Sequence, residues 1–513
     1  MPAPLIQVMD TTLRDGEQTP NVAYAPAEKL ELARLLLDAV RVDRLEIAQV
    51  FVSEGEAEAV KRISAWARKN GHADRIEILG LVDVRRSVDW IESHGGGALN
   101  LLTKGSRRHC EGQLRKTPEL HFKEIAETVR YARSRKLVVN VYLEDWSQGV
   151  RDSFDYVFGH VQNLTGLGVR RVYLPDTLGV FTPDDVSRYV SLMTRTWPEV
   201  HFEFHGHGDY GLATANCLAA VAAGARGVHT SVNGMGERAG NTRLAEVVAA
   251  LHDLTPYRTG VEERRLVAIS ELVATLSGKT VSDNSPVVGR DVFTQTAGIH
   301  ADGDAKDELY VTRLSPARFG RRRRYALGKM AGKASVDQNL KTLGIRLPAE
   351  QRDLVLRRIV ELGDKKHAVT PEDLPLIIAD VLKTPAEALV RIERYEFHSE
   401  SDGLPSASVS LRYRGKLATA SANGDGGYDA FMKAIAKAVK SFGLKLPDLV
   451  DYKVRIPPGG KTGALVETLI SWQTSRRAQP FSTLGVDSDQ LAAAVIATEK
   501  MLNLLAARRT ARH

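Results

Sequence analysis

The chain reads as an α/β protein: a closed (β/α)8, or TIM, barrel, then helical subdomains and a C-terminal α+β domain with internal pseudo-symmetry. Two observations carry that expectation. From residue 5 to about residue 260, short apolar runs alternate with helical patterns in eight strand–helix units. Eight such units over roughly 250 residues are what a closed parallel barrel needs. From about residue 390 the order becomes three strands and a helix, given twice. A doubly wound open sheet is the rival for the first part, but its glycine-rich first turn is absent.

The expected barrel strands lie near Ile6–Asp10, Arg44–Ala48, Ile76–Leu81, Ala98–Leu102, Val138–Glu144, Arg171–Pro175, His201–Gly206 and Val228–Val232. Amphipathic helices fall between them. Ala27–Val40, for example, sets Leu30, Ala33, Leu36 and Leu37 on one stripe. Helical stripes recur at Leu266–Leu276 and Gln351–Leu362, on either side of a loop-rich segment, Asp283–Tyr310. That segment holds TQTAGIHADG, with His300 in a glycine-bounded loop, a setting that often carries function. In the last part, strands are expected at Leu389–Phe397, Ser406–Tyr413 and Lys416–Ala422, then a helix at Asp429–Phe442. The repeat follows at Leu449–Ile456, Leu465–Trp472, Phe481–Val486 and a helix from Gln490 to about Ala507. The domains are expected at 1–262 (barrel), 263–325 (a linker subdomain with His300), 326–388 (helical) and 389–513 (the repeat).

The totals narrow the class. A chain of 513 residues exceeds one ordinary domain. No apolar run suits a membrane span, and the N-terminus lacks the form of a signal peptide. Two cysteines, Cys110 and Cys217, do not make a disulfide framework, so a cytoplasmic setting is expected. The net charge of +7 suits an anionic small molecule as well as nucleic acid. Basic residues are scattered apart from Arg321–Arg324 and the tail, with no aromatic-interleaved basic face, so no nucleic-acid partner is expected.

The stretch HFEFHGHGDYG, residues 201–211, carries the chemistry. In a strand, its alternation places His205 and His207 on one face, a pleat apart, where two imidazoles can grip one divalent metal. A polar strand face with hydrogen-bonded histidines would explain one such pair alone. A second stretch, DTTLRDGEQ (Asp10–Gln18), adds Arg14 and Asp15 at another strand end. Other reactive types also gather at strand C-termini, where such barrels place their active sites: Glu46, Tyr142, Glu144, Asp176, Thr177 and the run Asn233–Asn241.

These motifs together resemble the 2-isopropylmalate, homocitrate and citramalate synthase family. LRDGEQ (Leu13–Gln18) with Lys29, HGHGDYGLATA (His205–Ala215) and NGMGERAGN (Asn233–Asn241) match its signatures, and LPDTLG and TAGIHADG are also similar. LLTKGS, YLEDWS and VRIPPGGKTGALVET look nearest its citramalate branch. One position departs: Gly208 stands where the family usually has Asn or Asp after the second histidine, so a side chain supporting the metal ligands is missing.

The resemblance implies a Claisen-type condensation of acetyl-CoA, as co-substrate, with pyruvate. Asp15, His205, His207 and Asn241 would hold a divalent metal (Mn, Mg or Zn). Arg14 would stabilise charge on the keto oxygen. Glu144 and His300 are the candidate bases, with His300 reaching in from a partner subunit of a homodimer. Asp302 and Tyr310 would orient that histidine or contact CoA. Thr177 would bind the oxo-acid carboxylate, and Leu79, Leu102 and Tyr142 would limit its side chain, although leucines in strands are usually core. The C-terminal domain would be an allosteric sensor, with isoleucine the expected effector. Tyr428, Asp429, Leu449, Tyr452 and Ile456 would form its pocket. A 2-isopropylmalate synthase, a lyase cleaving a 3-hydroxy-3-methylglutaryl-type thioester and a nucleic-acid binder are the alternatives.

Overall fold

The computed structural model describes residues 4–307, 309–364, 369–382, 389–401, 403–455, 466–475 and 480–510. The chain divides into two compact units, Met1–Phe293 with Val311–Arg323, and Thr294–Tyr310 with Arg324–His513.

The first unit is the expected barrel. Its parallel strands are β1 (Gln7–Asp10), β2 (Arg44–Gln49), β3 (Ile76–Leu81), β4 (Ala98–Lys104), β5 (Val138–Glu144), β6 (Arg171–Asp176), β7 (Phe202–Gly206) and β8 (Gly227–Thr230), and β8 pairs back onto β1. Their period-2 pattern has an unusual polarity. Leu45, Ile47, Ile78, Leu99, Leu101, Val139, Val141, Val172, Phe202, Phe204 and Val228 are buried in the main apolar core. The residues between them are polar yet equally buried: Arg44, Glu46, Glu77, Asn100, Asn140, Glu203, His205 and His229. Barrel interiors are usually filled by branched apolar side chains. Here the inner positions form hydrogen-bonded layers, and strand register stacks them: Asn100 faces Asn140, Tyr142 faces Leu102 and Tyr173, Glu203 faces Tyr173 and Gly227, and His205 faces His229. Gly227 makes room for this, since a Cβ there would lie 2.7 Å from the Glu203 carboxyl carbon.

Two elements differ from expectation. The helix expected at residues 27–40 is an α-helix over Pro26–Arg34 that widens into π-type turns over Leu35–Val40 and stops at Arg41, whose φ is 65°. His300 does not lie in a loop; it sits in the helix Gly298–Asp307. Gly298 marks close packing: a Cβ on it would be 2.6 Å from the Gly332 Cα. Glycine here answers a close backbone approach, which the sequence pattern cannot distinguish from a turn.

In the second unit, helices Lys333–Leu343, Ala349–Asp364 and Leu374–Leu382 gather around Val336, Leu340, Val355, Ile359 and Leu374. The repeat follows: antiparallel β9 (Val390–His398), β10 (Ser406–Tyr413) and β11 (Lys416–Asn423) with the helix Gly427–Lys440, then β12 (Asp448–Arg455), β13 (Val466–Gln473) and β14 (Phe481–Asp487) with the helix Gln490–Thr510. Both halves feed one core, in which Phe431, Ile435 and Val439 join Ile470, Trp472 and Met501. No helix among the described residues is long and apolar enough to cross a membrane. Cys110 and Cys217 are buried free thiols.

Candidate active site at the barrel mouth

The loop after β1 is held from several sides before any functional group is placed. Asp10 accepts a hydrogen bond from the Thr12 amide at 2.9 Å, and burial pushes its carboxyl up to about 7. Thr12 Oγ1 in turn accepts from the Val232 amide after β8 at 2.8 Å. The buried Lys29 ammonium donates to the Leu13 carbonyl at 2.9 Å and to Glu56 at 2.5 Å, and pairs with Glu17 at 2.6 Å. Lys29 therefore belongs to the motif because it ties down the backbone that presents Arg14 and Asp15.

Asp15, His205 and His207 meet. Their ligand atoms all lie within 4.8 Å of one another, and all three residues are buried. The two Nε2 atoms are 3.2 Å apart, and Asp15 Oδ2 is 3.2 Å from His205 Nε2. β7 ends at Gly206, and His207 is held beyond it by an antiparallel bridge to Asn241. Asn241 gives its amide hydrogens to the Met235 carbonyl at 2.9 Å, which leaves Oδ1 buried without a partner. The Nδ1 atoms of both histidines are also buried without one. Two imidazoles and one carboxylate make a mixed N/O donor set of the kind that suits a divalent cation, and Asn241 adjoins it through its bridge to His207. Burial works to raise the Asp15 carboxyl, but Arg14 overrides it and holds it well below the usual carboxylate range. Burial, with His205 beside it, lowers His207 to about 3, so its ring is neutral, as a metal ligand must be.

Glycines close the loop over this cluster. A Cβ on Gly240, whose φ is 83°, would meet the Gly234 carbonyl oxygen at 1.8 Å, so that position admits no other residue. Gly208 is different: its Cβ would meet only two backbone carbonyls, at 3.4 and 3.5 Å, so a side chain fits there. Arg238 then locks the loops together, donating to Asp209 at 2.8 Å and to the Thr177 carbonyl at 2.7 Å.

Arg14 lies beside the cluster. Its Nε donates to Glu46 at 2.5 Å, its Nη2 to the Tyr142 hydroxyl at 3.4 Å, and its Nη1 is 3.4 Å from Asp15. Burial would lower its pKa, but Asp15 and Glu46 more than compensate, so it stays a cation. Tyr142 and Leu79 form a small buried cluster with Met9 and Tyr173, and Leu102 is packed against it half-buried. Glu144 is ion-paired to Lys104 at the end of β4 and β5. Thr177 Oγ1 accepts from the Asp145 amide at 2.9 Å and keeps its own proton to donate.

The other expected site residues lie in the second unit. The rings of His300 and Tyr310 are in tilted contact, with centroids 4.3 Å apart and planes at 38°, and Asp302 pairs with Lys306 at 2.7 Å. Tyr428 and Tyr452 have rings 5.0 Å apart, with the Tyr428 hydroxyl 2.8 Å from Thr498 Oγ1. Asp429 pairs with Lys433 at 2.6 Å, and that hydrogen bond holds its carboxyl below the usual range. Leu449 is 46% exposed. Ile456 lies outside the described residues.

Sequence reasoning missed the layer beneath the mouth. Glu203 accepts from Arg44 Nη2 at 2.5 Å and lies 3.1 Å from His229 Nε2, whose Nδ1 is 3.1 Å from the Tyr142 hydroxyl. The available signal was the spacing of Arg44, Glu46, Glu77, Asn100, Asn140, Glu203 and His229 at alternate strand positions. Lys104 was also missed; it sat in the quoted LLTKGS stretch.

Comparison with known proteins divides the chain into three consecutive parts. The profile of the HMGL-like family matches residues 5–273, that of the homocitrate synthase post-HMGL domain residues 287–367, and that of the LeuA allosteric (dimerisation) domain residues 368–506. A putative (R)-citramalate synthase of Methanopyrus kandleri is 38% identical over 89% of the chain and 88% of its own length. A probable 2-isopropylmalate synthase of the same organism is 35% identical over 98% of the chain and 99% of its own. The (R)-citramalate synthase of Methanocaldococcus jannaschii is 32% identical over 98% and 99%.

Proposed function

Because the chain belongs to the HMGL-like family and, within it, to the condensing enzymes of the (R)-citramalate and 2-isopropylmalate synthase type, we propose that it joins acetyl-CoA to pyruvate, giving (R)-citramalate and free CoA. The observation that carries this reading is the convergence of Asp15, His205 and His207 beside the Arg14 guanidinium. The donor set Asp15, His205, His207 and Asn241 fits a divalent ion (Mg, Mn or Zn); when bound there, the ion supplies Lewis-acid polarisation of the 2-oxo acid and a template for its carboxylate.

The residues divide the remaining work. A base removes a proton from the acetyl methyl, and the resulting carbanion adds to C2 of pyruvate. The keto oxygen gains negative charge, with Arg14 the fixed cation aimed at it, and then takes up a proton, replacing the one the base removed, to become the product's hydroxyl. Water then cleaves the thioester, releasing CoA and the new carboxylate. Glu144, anchored by Lys104, and His300 are the candidate bases, and Asp302 and Tyr310 stand near His300 in sequence to orient it or to meet CoA. Thr177 offers its hydroxyl proton to the substrate carboxylate. Leu79, Leu102 and Tyr142 leave room for a methyl group. The C-terminal domain acts as the sensor in a homodimer, with isoleucine the effector of an enzyme that feeds its synthesis. Tyr428, Asp429, Leu449 and Tyr452 contribute to that pocket.

The 2-isopropylmalate synthase that aligns with nearly the whole chain favours a second reading, with 2-oxoisovalerate as substrate. Free thiol released from acetyl-CoA with a panel of 2-oxo acids separates the two. Preference for pyruvate is expected; a clear preference for 2-oxoisovalerate overturns the first reading in favour of the second.

A further inference from the structure

His229 touches none of the groups assigned above a role in catalysis except Tyr142 and the face of His205. It is 1% exposed and sits on β8, opposite His205 in register. Its ring lies edge-on to three others: Tyr142 at 5.5 Å, Tyr173 at 4.4 Å and His205 at 5.4 Å between centroids. Its two nitrogens face opposite partners, Glu203 Oε2 at 3.1 Å and the Tyr142 hydroxyl at 3.1 Å.

Those partners fix its proton. Arg44 Nη2 lies 2.5 Å from both Glu203 oxygens, and a guanidinium only donates, so the carboxylate that pairs with it accepts. An ionised carboxylate only accepts, so the Nε2 of the ring carries the hydrogen and Nδ1 presents a lone pair. The Tyr142 hydroxyl has one proton and two acceptors in reach, His229 Nδ1 and Glu46 Oε2 at 3.3 Å. Glu46 is already satisfied by Arg14 at 2.5 Å and Asn100 at 2.7 Å. Among the described residues Nδ1 has no other donor, and a buried acceptor left unpaired is costly. The proton goes to His229, and the Tyr142 oxygen turns its lone pairs to Arg14 Nη2.

We propose that His229, its tautomer set by Glu203, is the positioning residue that fixes the Tyr142 hydroxyl and thereby aims Arg14 and sets the space beside His205 for the oxo-acid side chain. This rests on the function proposed above. It deepens it by assigning small-substrate selectivity to the whole buried chain Glu203–His229–Tyr142, with His229 its middle member, rather than to the pocket wall alone. The Tyr142 ring, edge-on to His205 at 5.9 Å, cannot swing aside while its hydroxyl is held.

The test is a double-mutant cycle on full-length protein with His229→Phe, Tyr142→Phe and both, read as kcat/KM for CoA release with pyruvate and with 2-oxobutanoate. Each single change is expected to lower kcat/KM for pyruvate by about 10–100-fold, the usual cost of removing an outer-layer support. The ratio of kcat/KM for pyruvate over 2-oxobutanoate should fall toward one. The double variant should be no worse than the poorer single, because His229 acts only through the Tyr142 hydroxyl. Losses that multiply in the double variant, or an unchanged substrate ratio in His229→Phe, overturn the proposal. His229→Gln keeps one donor and one acceptor and should recover most of the pyruvate activity. If His229→Phe does not fold, His229→Gln carries the cycle, and any loss it causes must vanish in the Tyr142→Phe background. A wild type that releases no CoA with any 2-oxo acid overturns the functional reading and this one together. An active wild type with multiplying losses overturns this one alone.

Discussion

The barrel mouth and the surface around Tyr428 hold similar residue types under opposite conditions. At the mouth, Asp15, His205 and His207 are buried, and Arg14 is held by Glu46 and Tyr142. Around Tyr428, Asp429 is tied to its own helix through Lys433, its side chain 43% exposed, and Leu449 stands in solvent. A reaction needs its groups fixed before substrate arrives, since preorganised charge in a dry site stabilises a transition state at little reorganisation cost. A sensor must instead take different arrangements with and without its effector. The two regions have the physical character their proposed roles require.

The sharpest way to break this contrast is to remove a charge from the buried layer. Glu203→Ala takes one of two carboxylates from the buried Arg44 guanidinium, leaving Glu77, and should cost about 3–5 kcal/mol of stability, read as a fall in the urea midpoint. A change within about 0.5 kcal/mol, the range of surface substitutions, would mean the layer is not rigidly held. Arg14→Ala should lower kcat by about 10²–10³-fold, roughly 2.7–4 kcal/mol of transition-state stabilisation, while the protein stays folded.

Acid tests the brace behind β4. His121 Nε2 accepts from the Lys104 amide at 3.2 Å, and His160 Nε2 lies 3.3 Å from Thr103 Oγ1. Burial lowers His121 to about 4 and His160 to about 3. An unfolded histidine titrates near 6.5, so the unfolded chain takes up these protons first. Stability from these groups is intact above about pH 6.5 and is lost as pH falls toward the folded values. Unfolding free energies at pH 7 and pH 5 should differ by on the order of 2 kcal/mol per histidine, and His160→Phe should flatten that slope. The smallest effect belongs to the open region: Asp429→Asn should raise the isoleucine concentration for half inhibition up to about tenfold. An unchanged half-inhibitory concentration would remove Asp429 from the sensor.

Much of this was legible in the sequence because the barrel motifs are contiguous. HGH and LRDGEQ put their ligands within a few residues of each strand end, and the fold then had only to bring two ends together. Strand edges fell within a residue or two, since apolar alternation sets them. The polar interior was not legible: alternation tells which residues share a face, not which face points inward, and buried polar layers invert the usual rule. His229 drew no notice, and Glu203, although part of the HFEFHGHGDYG alternation, received no role, because neither lies at the mouth and their partners come from other strands. His300 was misplaced for a related reason, as Gly298 answers the close approach of Gly332 rather than a turn.

One measurement tests the central claim most directly. The full-length protein is stripped with a chelator, and CoA release from acetyl-CoA and pyruvate is followed as Mn²⁺, Mg²⁺ or Zn²⁺ is returned, beside Asp15→Asn and His205→Ala. The account predicts that stripping abolishes release, that one of the ions restores it in the wild type, and that both variants require far more of that ion. Release that persists in chelator, or variants that match the wild type at every ion concentration, would contradict it.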